Sequence, residues 1–233
     1  MRSGWPIRSR AHSAHLVRVW KDRRPYSATS RRIGGAAVAR QRPGLFRAYV
    51  GTGQITDLAR TDAASYQLAV QRARAAGNRK AARKLAGIGA PTYPQVRTWL
   101  TKQRWSFATD PELQAWSKRA LPTVLTAPGM TLRDIYAFNA GFMSYPPHPL
   151  YQETMSWTAQ QTTDFAVPCY IFQGEADEHT LTSLAQEYFA QVRAPRKELA
   201  LLPGGHCAVL MHPAAFLGEL RAHLCPLTPA TTP

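Results

Sequence analysis

Residues 198–213, ELALLPGGHCAVLMHP, decide how this chain reads. A short apolar run halts at Pro203, Gly204 and Gly205, and His206 follows at once. Such a run, bounded by turn residues, reads as a strand. The expectation is therefore a strand over residues 197–202 whose carboxyl end presents an imidazole.

The same design occurs upstream in FAVPCYIFQGEAD, residues 165–177. It reads as a strand over residues 167–173, followed by Gly174 and, three residues later, Asp177. Between the two runs, TLTSLAQEYFAQVRA places Leu184, Tyr188 and Val192 on one helical face. Beyond His206, HPAAFLGELRAHL starts with Pro213 in its first turn and aligns Phe216, Leu220 and Leu224. Strand, helix, strand, helix predicts an α/β protein with a parallel sheet. Functional groups in such sheets gather at the carboxyl ends of the strands. Asp177 and His206 are then expected side by side, the carboxylate accepting the imidazole N–H and fixing its tautomer.

Further out, LFRAYVGTGQ (residues 45–54) gives a third strand, expected over residues 46–51, and IGGAAVARQRP before it a short helix. TDAASYQLAVQRARAAGN and RKAARKLAGIG read as two successive helices broken at Gly77. Residues 91–160 hold Trp99, Trp105, Trp116 and Trp157 with many prolines, and read as helical and loop-rich without strands.

Three segments resemble a known family. YIFQGEAD with EYFAQVRAPRKELALLPGGH is similar to the C-terminal part of α/β-hydrolases of the proline-iminopeptidase-like group. RPGLFRAYVGTGQ resembles the strand after that group's nucleophile helix, and DIYAFNAGFMSY its helical cap. The resemblance implies a partial α/β-hydrolase fold, a parallel sheet remnant with a helical cap insertion. It divides the chain into a core of residues 33–58 and 161–225, a cap of residues 59–160, an Arg-rich disordered segment of residues 1–32 and a disordered tail of residues 226–233. It also implies a serine hydrolase acting on ester or N-terminal peptide bonds, with Asp177 and His206 matching acid and base, small molecules or peptides as substrates, and no cofactor. Glu175 and Glu178 are expected to be solvated; the alternative for Glu175 is to hold a substrate amine near the site.

The family's Gly-x-Ser-x-Gly elbow occurs nowhere in the 233 residues. The nucleophile's place falls near Thr29 or Ser30, in SATSRRIGG, where arginines stand instead of glycine, and Ser30 is the candidate. The expectation is a truncated, inactive chain, with the 46–51 strand open at one edge and prone to self-association.

The charge of +15 is uneven: residues 1–43 hold eleven basic side chains against one acid. This segment has no steady helical period, so a disordered arm is expected, with nucleic-acid binding through it or an organelle transit peptide as the alternatives. A helical protein-binding module built on residues 66–85 is a further alternative, without a visible second repeat. Cys169, Cys207 and Cys225 lack metal-type spacing and are odd in number, which favours a reducing, cytoplasmic setting. His179 and His212 flank the same rim without metal-ligand spacing, so no metal is expected. No apolar run is long enough to span a membrane.

Overall fold

The computed structural model describes residues 34–127, 129, 131–136, 155, 156, 158, 159 and 162–224. Its centre is a three-stranded parallel sheet of β1 (Tyr49–Thr52), β2 (Cys169–Gly174) and β3 (Lys197–Leu202), in the order β1-β2-β3. The register pairs Tyr49 with Cys169 and Gly174 with Leu202. The α/β class expected from the sequence is the class observed.

Strand limits follow the backbone donors. β2 begins at Cys169 because Pro168, having no N–H, cannot take part in the ladder as a donor. Its carbonyl instead accepts from Tyr49 N at 2.8 Å, which is where β1 starts. Residues 43–45 form a 3-10 turn, closed by Phe46 N on the Pro43 carbonyl, so pairing comes three residues later than the apolar run suggested.

All six residues of β2 are buried, as a central parallel strand covered on both faces requires. Alternate side chains serve opposite faces. Cys169 and Ile171 pack with Ala36 and Ala39 of α1 (Gly34–Gln41) and with Tyr188 and Val192 around α6 (Thr182–Gln191). Tyr170 and Phe172 face the other way, toward Ala208 of α7 (Ala208–Met211) and Phe216, Leu220 and Leu224 of α8 (Pro213–Leu224). Phe172 meets Phe216 edge-on, with ring centroids 5.2 Å apart.

Between β1 and β2 the chain makes a helical insertion: α2 (Leu58–Ala75), α3 (Arg79–Ile88), α4 (Val96–Thr109) and α5 (Pro111–Leu125). The helix starts carry their own caps. Asp57 accepts from Arg60 N, Asn78 from Ala81 N and Asp110 from Leu113 N, each near 3 Å. Tyr66, Ala69, Ala73, Ala81 and Leu85 form the α2–α3 core. A buried ion pair ties α4 to α2: Lys102 Nζ lies 2.5 Å from Asp62 Oδ1, with both side chains 1% exposed. Trp99 Nε1 donates to the same oxygen and Lys102 also donates to Ser65 Oγ. No described helix is long and apolar enough to cross a membrane.

Candidate functional site

The ends of β2 and β3 are pressed flush against each other. Beyond the last register pair, Glu175 N donates to the Leu202 carbonyl and Ala176 N to the Gly204 carbonyl, both at 2.9 Å. A Cβ on Gly174 would overlap the Gly205 carbonyl, so only glycine lets the two tips come this close. Gly204 turns the chain with φ +96°, in the region that favours glycine. The next residue but one is His206.

That closeness puts Asp177 against His206, with Oδ2 3.1 Å from Nδ1. The Asp177 side chain is fully buried and its oxygens are heavily used. Oδ1 accepts the backbone N–H groups of His179 and Thr180, each at 2.8 Å. Oδ2 also accepts from Thr180 Oγ1 at 2.7 Å and Gln173 Nε2 at 2.9 Å. Burial alone pushes such a carboxyl's pKa up. Hydrogen bonding and charge from His206, then the Thr180 donors, outweigh it and hold the pKa below the ordinary value. For His206 the signs reverse. Burial lowers its pKa, but the bond to Asp177 and the charges of Asp177, Glu112 and Asp110 raise it above the ordinary imidazole value. An ionised carboxylate beside an imidazole that readily holds a proton is the outcome.

The His206 side chain keeps 15% exposure, and among the described residues none bonds its Nε2. Comparison with known proteins finds no matching family model and no matching curated protein. Among solved structures, the chain is similar to a proline iminopeptidase from Mycobacterium smegmatis at 16% identity, with 83% of this chain, 61% of that one and a TM-score of 0.44. VinJ matches at 18% identity, with 83% and 62% coverage and a TM-score of 0.47. A hydrolase from Pseudomonas aeruginosa PA01 matches at 15% identity, with 82% and 60% coverage and a TM-score of 0.41. The chain spans about three fifths of the length of each.

Around the pair, the insertion supplies groups that sequence reading did not assign to the site. His179 Nε2 lies 2.9 Å from Asp110 Oδ2, next to the Phe107 ring, and its own ring is 5.4 Å from that of His206. Arg72 of α2 forms an ion pair with Glu178, which corrects the expectation that Glu178 is simply solvated. Glu112 of α5 accepts the Gly205 N–H immediately before His206. Its second carboxylate oxygen, Oε1, is buried without a hydrogen-bond partner. Gln173, fully buried, joins the acid to the loop after β1: it accepts from Gln54 N at 3.0 Å while donating to Asp177 and to the Thr180 carbonyl.

The other sequence-derived residues sit as follows. Glu175 is exposed at the rim, and the carboxylates whose charge acts on His206 are Asp177, Glu112 and Asp110. Thr29 and Ser30 lie outside the described residues. His212 is exposed, and among the described residues no group of three His, Cys, Asp or Glu side chains is arranged to hold a metal ion. Cys207 is buried, and burial followed by the charges of Glu112, Asp110 and Asp177 pushes its thiol up to about 12. At neutral pH it is a thiol, the unreactive form.

Proposed function

We propose that this chain carries the acid–base half of a serine-hydrolase site of the proline-iminopeptidase-like kind, for ester or N-terminal peptide bonds. The observation that supports it is the 3.1 Å contact between Asp177 and His206 at the tips of adjacent parallel strands. With Nδ1–H donated to Oδ2, the free lone pair is on Nε2, which no described residue bonds. Nε2 would take the proton of an attacking hydroxyl and return it to the leaving group. Asp177 would stabilise the imidazolium in between without itself taking the proton. The helices between β1 and β2 would act as the cap over this rim, and water would be the second substrate. The two buried free cysteines, Cys169 and Cys207, agree with a cytoplasmic setting.

The missing part is the nucleophile. The sequence has no Gly-x-Ser-x-Gly elbow and no His-Gly-Gly-type oxyanion loop. Loss of the serine from a working triad costs on the order of a million-fold in turnover. Each absent oxyanion donor costs about 2.7–4 kcal/mol. This chain by itself is therefore proposed to be inactive as a serine hydrolase.

A fluorophosphonate probe reports on this directly. The purified chain should take up no label and should not turn over p-nitrophenyl acetate above an unfolded control. Covalent labelling of a serine would overturn the claim of inactivity. If that label also disappeared in His206→Gln, the acid–base role would stand with a nucleophile present. Labelling indifferent to His206→Gln and Asp177→Asn would remove the role as well.

A further inference from the structure

We infer that the α2–α3 hairpin is a docking surface for the phosphate backbone of nucleic acid, bound without regard to base sequence. This is independent of the hydrolase reading. Residues 63–109 contain nine basic side chains and no Asp or Glu at all. The remainder of residues 44–233 holds nine basic against thirteen acidic side chains. The positive charge outside the N-terminal arm is therefore gathered on α2, α3 and α4, and the rest of that region is net acidic.

Two of the nine cations are committed elsewhere: Lys102 to the buried Asp62, and Arg72 to Glu178 and Asp110. The other seven, Arg74, Arg79, Lys80, Arg83, Lys84, Arg97 and Arg104, are all exposed. Among the described residues, none of the seven forms an ion pair. Five of them fall within eleven residues around the Gly77 turn.

Their placement works against the helix that bears them. α3 has no acid in its first turn, where Arg79 and Lys80 stand at the positive end of its dipole. Arg79 with Arg83, and Lys80 with Lys84, are like charges one turn apart, which also repel. A bound polyanion turns both costs into favourable contacts. One helical turn carries such a pair along about 6 Å of axis, given ~1.5 Å per residue. A chain of phosphates offers comparable closely spaced charges.

The patch suits nucleic acid better than a bilayer. No large hydrophobic side chain between residues 46 and 106 is exposed, so α3 has no apolar wedge to insert between lipids. It also presents no exposed aromatic ring for base stacking, which is why the contact is assigned to phosphate alone.

The test measures anisotropy of a fluorescein-labelled random-sequence DNA duplex with the full chain across a salt series. Two variants lose the same four charges: R79Q/K80Q/R83Q/K84Q in the hairpin and R23Q/R24Q/R31Q/R32Q in the N-terminal arm. The hairpin variant should bind at least about tenfold more weakly, with a log–log salt slope lower by up to about 3.6, at ~0.9 for each of four phosphates lost. The arm variant should change both much less. Circular dichroism should show the hairpin variant folded and no less helical, since it loses only repulsion. Equal weakening in the two variants would mean that net charge alone drives binding and would overturn the hairpin's role. So would unchanged binding in the hairpin variant, or capture by anionic phosphatidylserine vesicles with no binding to the duplex.

Discussion

The sheet and the helical insertion are held together by different forces. The sheet is sealed by apolar side chains on both faces, Cys169 and Ile171 against α1 and α6, Tyr170 and Phe172 against α7 and α8. The insertion combines a small apolar core with a buried charge pair, Asp62–Lys102, and a strongly basic exterior. Described polar contacts between the two include His179 with Asp110, Glu178 with Arg72, the Gly205 N–H with Glu112, and Glu187 with Arg60. The lesson is that the sheet positions Asp177 and His206, while the insertion sets much of the charge around them. A hydrophobic seal responds little to pH or to screening by dilute salt. A polar junction responds to both.

The sharpest way to break the sheet side of this comparison is Gly174→Val. Its side chain would overlap the Gly205 carbonyl, and neither strand tip can move without losing register. The expected cost exceeds about 4 kcal/mol, in the exceptional range for one substitution. Urea unfolding followed by circular dichroism would measure it, and a cost under about 1 kcal/mol would show that the tips are not tightly apposed.

On the insertion side, Lys102→Met leaves the Asp62 carboxylate buried without its cation, which should cost roughly 3–5 kcal/mol. Adding Asp62→Leu removes the stranded charge and should recover most of that loss. Unfolding read by tryptophan fluorescence, to which Trp99, Trp105 and Trp116 of the insertion contribute, and by hydrogen exchange in β2 distinguishes the regions. If Lys102→Met loosens β2 as much as the insertion, the two regions are one cooperative unit.

The smallest effect concerns the pair itself. The His206 pKa is raised on folding, so its stabilising contribution is complete below the unfolded value of ~6.5 and is lost as pH rises through the raised value. Wild type should therefore exceed His206→Gln in stability by more at about pH 5.5 than at about pH 9. Asp177 has the opposite sign: its lowered pKa adds stability above the unfolded value of ~3.9, lost in acid as pH falls through the lowered folded value. A His206→Gln difference that grows with pH would contradict the electrostatics described here.

Much of the core was legible because its signals are local. The runs ending at Gly174 and at Pro203 are apolar, of strand length and bounded by turn residues, and their intervening helix has a clear period. The β1 start was not legible, because Phe46 looks like strand until its N–H is found closing a turn on Pro43. The polar surround was the least legible part. Glu112 contacts a backbone N–H 93 residues away, and Asp110 meets His179 across 69. Nothing in the spacing of those residues announces the meeting. Gln173 reads simply as part of an apolar strand until its amide is seen holding both Asp177 and Gln54.

By itself, the sequence determined the parallel strands, the helices between them and the two glycine-marked tips that carry an acid and a histidine. Hydrophobic period and turn chemistry act over a few residues, so they are written in order along the chain. Only the tertiary structure decided which carboxylates surround the imidazole and which arginines remain free for a partner. Electrostatic strength depends on distance and on the exclusion of water, and both are properties of the packed chain.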